Sequence, residues 1–281
     1  MTGIASAPAS SGNLGPGFDT LALALDLRCR VEAEPAAVTA IVDADGVPRP
    51  VEGGEIVARA VAAVGPPMTL RIDSAIPRGR GLGSSAAVAA ATAAASLGAQ
   101  GLGVDRDRVF HVVADLEGHG DNAAAAVYGG LQAACTASSR RLELHPELLP
   151  IVAIPDFELR TGDARAALPD AVALTMAART IARVVFLVEG LRTGDRDALT
   201  HARGDELHEE PRSALSPLTT RLVRAALDAG AVHAAWSGAG PSALAFVTEE
   251  RLDAVEGALG TVLGSVGEVR RLAVDHDGLV S

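Results

Sequence analysis

Residues 77–87 read Pro-Arg-Gly-Arg-Gly-Leu-Gly-Ser-Ser-Ala-Ala. Before them, MTLRIDSAI (68–76) alternates apolar and polar residues as a half-buried strand does. After them, an alanine-rich run from Ser84 to Leu97 predicts a long helix. Strand, glycine-rich turn and helix in this order would suit an anion site. Gly79, Gly81 and Gly83 let backbone N–H groups approach a phosphate without Cβ interference. The helix start at Ser84-Ser85 adds N-terminal amides and a favourable dipole, and a hydroxyl there can reach Mg²⁺. The segment is not a Walker A loop, which needs a lysine that this chain does not contain. It is not G-x-G-x-x-G either, because its glycines alternate. Spacing alone leaves two readings open, a phosphate loop and a tight turn into an ordinary helix.

Two more segments share this character. Ser10-Ser-Gly-Asn-Leu-Gly-Pro-Gly-Phe-Asp19 packs glycines and a proline between polar groups, and Ser237-Gly-Ala-Gly-Pro-Ser242 interrupts two strand-like runs. Either alone reads equally as a hairpin; three such loops in one chain call for a shared explanation.

Around them, strands are predicted over 21–33 and 36–43, with a turn at Glu34-Pro35. Helical patterns follow from Gly53-Gly54 to Val64, over 104–118, and from Ala123 to a break at Gly129-Gly130. The chain resets at HPELLPIVAIP, 145–155, which places a domain boundary near residue 150: an N-terminal domain over 1–150 and a C-terminal one over 151–281. Beyond it come helical patterns near 171–191, 195–208 and 215–229, a strand at 231–236, the strand ALAFV, a helix near 249–263 and a last strand near 267–274. Strands and helices in both halves predict a two-domain α+β protein.

Of 281 residues, 48% are hydrophobic and 21% charged, which excludes a disordered chain. Aromatic residues are only 2%, so the core is built from Ala, Val and Leu. The net charge of −11 disfavours nucleic acid as a partner. No signal peptide or membrane span is legible, and the separated Cys29 and Cys135 form no metal-binding spacing; both features suit a cytoplasmic protein.

In order and spacing, the three loops resemble the three motifs of the GHMP small-molecule kinases, and the resemblance spans essentially the whole chain. Its nearest branch is homoserine kinase: SGNLGPGFDTLALALDL resembles the first motif there, and GLGSSAA and SGAGPS resemble the second and third. Glu117-Gly-His-Gly-Asp-Asn122 with Val127-Tyr-Gly-Gly130, Thr161-Gly-Asp-Ala-Arg-Ala-Ala-Leu-Pro169, and Asp205-Glu-Leu-His-Glu209 with Arg212 resemble segments of that branch. The resemblance implies an N-terminal domain like ribosomal protein S5, a ferredoxin-like C-terminal domain, and ATP in the cleft between them. It implies the conversion of ATP and L-homoserine to ADP and O-phospho-L-homoserine, toward threonine, by a homodimer using Mg²⁺.

Residue by residue, it implies that Pro77, Gly79 and Gly81 to Ser85, including Leu82 and Gly83, wrap the ATP phosphates, with Glu55 at the adenine. Ser84 or Ser85 helps to hold Mg²⁺, with Asp115 or Glu117; positions 115 and 117 face differently on a helix, so one of them serves. Asn13, Asp19, His119 and Asn122 line the amino-acid pocket. Arg183, following Thr180, and Arg212 bind the carboxylate, while Gly238 and Gly240 shape the wall between nucleotide and substrate. Asp19, Ser85 and Asn122 carry the catalysis, by alignment and charge stabilisation, since Asn122 stands where mevalonate kinases have a carboxylate base. Glu55 in place of an Asn, Gly120 in place of a Pro, Thr180 in place of an Asn and Asp115 in place of a Glu depart from the pattern. Without the resemblance, His208 and His233 read as structural, and Glu206, Glu209 and Glu210 as a solvated helix face. The rival readings are a sibling kinase for shikimate, mevalonate or a sugar, a non-catalytic binding protein that keeps the fold, and a structural subunit.

Overall fold

The computed structural model describes residues 1–43, 45–135 and 138–281. Its first layer is a seven-stranded sheet of β1 (Gly3–Gly12), β2 (Leu21–Pro35), β3 (Ala40–Val42), β4 (Pro48–Pro50), β5 (Met68–Ser74), β6 (Leu131–Cys135) and β7 (Ser138–Leu142). The path runs β4-β3-β5-β2-β6-β7, and β1 pairs with β2 off that path. The long β2 organises the sheet: Leu21–Leu23 pair with β6, Cys29–Pro35 pair with β5, and β1 runs antiparallel along most of its length. A register shift between Pro8 and Ala9 bends β1, where the proline has no N–H to give the ladder.

Helices α1 (Ile56–Val64), α2 (Ser84–Ala99), α3 (Arg106–Glu117) and α4 (Asp121–Tyr128) pack on this sheet and on one another. The alanine run now has its reason. Helix α2 touches β1, β2, β5, α1, α3 and α4, so nearly its whole circumference is buried. Only small side chains fit: a Cβ added at Gly3 of β1 would lie 2.0 Å from the Ala95 carbonyl oxygen. Enlarging one of these alanines would overpack the contact, at a cost of about 1–3 kcal/mol.

The second layer is a four-stranded antiparallel sheet in the order β11-β8-β10-β9, made by β8 (Leu149–Pro155), β9 (His233–Trp236), β10 (Ala243–Val247) and β11 (Gly267–Arg271). Between β8 and β9 run α5 (Thr161–Ala166), α6 (Leu174–Thr193), α7 (Arg196–His201), α8 (Glu209–Arg212) and α9 (Pro217–Asp228); α10 (Leu252–Leu263) follows β10 after a 3₁₀ turn at Glu249–Arg251. Helices α9 and α10 pack on this sheet around a second apolar cluster that includes Ile151, Leu222, Val255 and Leu259.

The sheets change between Leu142 and Leu149, so the boundary expected at residue 150 falls inside β8. The C-terminal segment then returns to the first sheet. Val274 and Val280 bridge to Leu25 and Ser6, and Arg28 pairs with Asp275. The helix expected over 195–208 ends at His201, and the strand expected over 36–43 is only Ala40–Val42. No helix among the described residues is long and apolar enough to cross a membrane.

Candidate active site

The three glycine-rich loops meet. In the segment from Pro77 to Gly83, the three alternating glycines all take positive φ, +63°, +74° and +63°. Two of them are also required by close approach: a Cβ on Gly81 would lie 2.1 Å from the Ser237 carbonyl oxygen, and one on Gly83 would lie 2.0 Å from Ser10 Oγ. The third loop donates from Ser237 Oγ to the Gly81 carbonyl at 2.7 Å, and the first donates from the Ser10 N–H to the Leu82 carbonyl at 3.1 Å. Gly83 caps α2 without a side-chain hydrogen bond, and no acidic residue stands in the first turn. The N–H groups of that turn are thus free for an anion.

Two cavities share this loop. One lies against Cys29, Ile41, Ile56, Val57, Ile72 and Val88, with Glu55, Gly79, Ser84 and Ser85 on its wall. A mostly apolar slot that opens on a phosphate loop suits a nucleoside. Glu55 lies there as expected, but its carboxylate accepts the Glu52 N–H at 2.9 Å and reaches Arg49 at 3.4 Å. Pro77 starts the loop and lines neither cavity.

The other cavity holds most of the substrate residues named from sequence: Asn13, Asp19, His119, Asn122, Arg212 and Gly238, beside Gly79, Gly81, Leu82, Gly83, Ser84, Ser85 and Glu117. Asn13 ties two loops together. Its Nδ2 donates to the Gly238 carbonyl at 2.9 Å, and its Oδ1 accepts the Asp19 N–H at 3.1 Å. Asn13, Leu14 and Asp19 all take positive φ, so the first loop is coiled on itself. Asn122 Oδ1 accepts from Ser10 Oγ at 2.8 Å. Gly240 stays outside the cavity lining; a Cβ there would lie 2.8 Å from the Trp236 ring.

The cavity is polarised by charge. Ligand atoms of Asp19, His119 and Asp121 lie within 4.8 Å of one another, and His119 Nδ1 is 2.6 Å from Asp121 Oδ1. Burial pulls the His119 pKa down, but the Asp121 hydrogen bond and charge outweigh it, so the net shift is upward. Across from them, Arg165 forks onto Asp19 at 2.8 and 3.1 Å. Arg165 and Arg212 lie over the Phe18 ring, 5.8 and 5.6 Å from its centroid. Arg212 is buried, donates from Nε to the Ala164 carbonyl at 3.0 Å, and places Nη1 3.0 Å from His208 Nδ1. Its Nη2 has no hydrogen-bond partner among the described residues. Burial first, then the Arg165 charge, brings the Arg212 pKa down to about 10, so the group stays cationic at neutral pH while poorly solvated.

Two expectations are corrected. Arg183 and Thr180, on α6, do not reach the cavity. Arg183 donates to Glu206 at 2.8 Å, as Arg179 does at 3.0 Å, and the two guanidiniums hold Glu206 down at about 2; Thr180 is buried with its hydroxyl unpartnered. The cavity is lined instead by Thr161 and Arg165 of α5, one turn apart. The TGDARAALP segment carries that signal in the sequence. Of the two metal-ligand candidates that the sequence leaves open, Asp115 is exposed on α3, whereas Glu117 faces the loop and accepts from Ser85 Oγ at 2.5 Å. Second, Glu209 is not on a solvated face: it is half-buried, accepts the Trp236 N–H at 2.7 Å, and desolvation pushes its pKa up to about 8. Asp121, Phe18 and Leu159 line the cavity without having been singled out.

A hydroxyl and a carboxylate oxygen beside free helix amides are oxygen donors of the kind a hard divalent cation takes. Ser85 and Glu117 therefore fit Mg²⁺ shared with a phosphate.

Comparison with known proteins agrees with this geometry. Residues 54–130 match the family described as "GHMP kinases N terminal domain", and residues 187–264 match "GHMP kinases C terminal". The fold and the loops thus define a kinase of the GHMP class. Among curated relatives, a homoserine kinase of Moorella thermoacetica is 39% identical over 85% of each chain. One of Thermus thermophilus is 37% identical over 95% of this chain and 94% of its own. The crystal structure of homoserine kinase from Cytophaga hutchinsonii, 26% identical, superposes with a TM-score of 0.85 over 99% of this chain and 96% of its own. A Streptococcus pneumoniae phosphomevalonate kinase in complex with phosphomevalonate and AMPPNP, 18% identical, shares the fold with a TM-score of 0.74, covering 98% of this chain and 99% of its own. The chain belongs to the homoserine kinase family.

Proposed function

We propose that this chain transfers the γ-phosphoryl group of ATP to the side-chain hydroxyl of L-homoserine, giving O-phospho-L-homoserine, a step toward threonine. One observation carries the reading: a single cavity beside the phosphate loop sets two guanidiniums, Arg165 and Arg212, against the carboxylates of Asp19 and Asp121. That arrangement matches an amino-acid zwitterion. The arginines take the carboxylate, with Arg212 Nη2 free to donate, and the acidic side takes the ammonium. Asp19 and Arg165 pair with each other across the cavity; a bound zwitterion would replace this pair with two matched contacts of the same charges. Shikimate, mevalonate and galactose bring no ammonium and would leave the acidic side unpaired.

The Gly79–Ser85 backbone binds the phosphates, with Ser85 and Glu117 holding Mg²⁺, which when bound neutralises charge on the transferring group. The contact with Asp121 fixes the His119 ring at the acidic side of the cavity. Asn122, held by Ser10, has no basic atom. The chain's residues therefore act by alignment and electrostatic stabilisation rather than through a strong base. The need for MgATP supports a cytoplasmic setting.

The test is ADP release with MgATP, with and without L-homoserine, beside shikimate, mevalonate and galactose. Homoserine-dependent turnover is expected. Turnover with one of the others alone would refute the amino-acid pocket and keep the nucleotide site.

A further inference from the structure

His208 stands out as a buried titratable group that the chemistry above does not use. It is fully buried at the start of α8, and its ring stacks on Phe18 with centroids 5.2 Å apart and planes at 25°. Its two nitrogens meet opposite demands. Nε2 lies 2.9 Å from the carbonyl oxygen of Gly15 in the first loop. Nδ1 lies 3.0 Å from Nη1 of Arg212. A carbonyl only accepts and a guanidinium only donates, so Nε2 must carry the proton and Nδ1 must be bare. One tautomer of the neutral ring satisfies both contacts. A doubly protonated ring would aim an N–H at a cation and lose the second.

We propose that His208 is a positioning residue for the substrate carboxylate: as the neutral Nε2–H tautomer it locks Arg212 to the first glycine-rich loop. This rests on Arg212 gripping homoserine. The lock explains how three distant pieces of chain stay in register. His208 holds Gly15, the same loop presents Asp19 to the ammonium, and Phe18 of that loop underlies both arginines. Asp205 supports it by accepting the backbone N–H groups of His208 and Glu209, at 2.5 and 3.0 Å.

A consequence is an acid limb in homoserine affinity, because protonating His208 breaks the contact with Arg212. The charged groups around it are Asp205 on the preceding turn, 3.6 Å from Nε2, Glu209 and Arg212 on α8, Asp19 on the first loop and Arg165 on α5. Burial and the Arg212 charge lower the His208 pKa and outweigh the opposing pull of Asp205, so the neutral ring prevails at pH 7.

Two kinds of variant separate the contacts. His208→Asn keeps an acceptor near Nδ1 for Arg212; His208→Gln keeps a donor near Nε2 for Gly15 but no acceptor for Arg212. The homoserine KM should rise about ten-fold in His208→Gln, the loss of one charged hydrogen bond, with the ATP KM unchanged. His208→Asn keeps the Arg212 contact but releases Gly15, so it should raise the homoserine KM by less than His208→Gln does and abolish the acid limb of kcat/KM. An unchanged homoserine KM in either variant, or an acid limb that persists in His208→Asn, would overturn the proposal. Ring ¹⁵N NMR of the wild-type protein, with either variant used to assign the signal, reads the tautomer without any substrate. An Nδ1–H or doubly protonated ring at pH 7 overturns the lock whether or not homoserine is the acceptor. Absence of homoserine turnover overturns the substrate assignment instead, and with it the claim on the carboxylate.

Discussion

Replacing Arg165 by Leu separates a binding arginine from a structural one. In the free protein Arg165 pairs with Asp19, but the two side chains are 38% and 32% exposed. An ion pair that open to water is worth about 0–1 kcal/mol, so the thermal midpoint should move by only a few degrees. In the complex the account differs. Arg165 sits over Phe18, faces the cavity with Arg212, and would donate to the buried homoserine carboxylate. Charge-assisted hydrogen bonds of this kind are worth about 1.5–3 kcal/mol, or about 10- to 150-fold in affinity. Asp19, freed from Arg165, still pairs with the ammonium and returns part of that loss, so an increase of about 10- to 50-fold in homoserine KM is expected. The ATP KM should not move, because no atom of Arg165 lines the nucleoside cavity. The control is Arg183→Leu, which breaks a contact with Glu206 outside the cavity and should leave the homoserine KM within about two-fold. Steady-state kinetics with homoserine varied at saturating ATP, and the reverse, read all four constants. An unchanged homoserine KM in Arg165→Leu together with a raised one in Arg183→Leu would refute the placement of the carboxylate.

Three further perturbations have defined outcomes. Gly83→Ala puts a Cβ 2.0 Å from Ser10 Oγ at a φ of +63°; the left-handed backbone alone costs about 1–2 kcal/mol, so urea unfolding should shift to lower midpoint and ATP affinity should fall, and a stable variant with normal ATP KM would show that the loop tolerates a side chain. Glu117→Gln should sharply raise the Mg²⁺ concentration needed for half-maximal rate, whereas Asp115→Asn should not; the reverse pattern in a Mg²⁺ titration would return the metal to Asp115. Glu209 offers a pH test: its pKa is pushed up to about 8 in the fold against 4.5 unfolded, so between those values the folded state binds the extra proton and stability falls as pH rises. Glu209→Gln keeps an oxygen for the Trp236 N–H and should flatten that decline, read as urea midpoints from pH 5 to 9; an identical decline in both proteins would place its origin elsewhere.

What was legible in the sequence follows from how local each constraint is. The three loops showed because a backbone that must turn with positive φ or approach another chain segment closely has to be glycine, and that need is written in the residue itself. The alanine run showed as a helix, though its composition, which comes from contact with six neighbouring elements, did not. Strand β1, GIASAPASSG, carries none of the β-branched pattern of a strand beyond Ile4, because its small side chains exist to let α2 approach. The choice between Asp115 and Glu117 was in fact open to inspection. Val109, Phe110 and Val113 mark the buried face of α3, and position 117 lies one turn beyond 113 on that face while 115 points away. The arginines were not open in the same way. Arg179 and Arg183 stand four apart on a long helix and look like a basic grip, but the acceptor they find is Glu206, which the chain supplies itself. Arg165 belongs to a six-residue helix with no periodicity to detect, and what it meets in the cavity, Phe18 and Asp19, lies in a loop near the N-terminus. The same holds for His208, whose partner carbonyl is 193 residues away. Sequence shows where the backbone must be special; which of several like charges faces the substrate is decided by the contacts that the remaining charges make first.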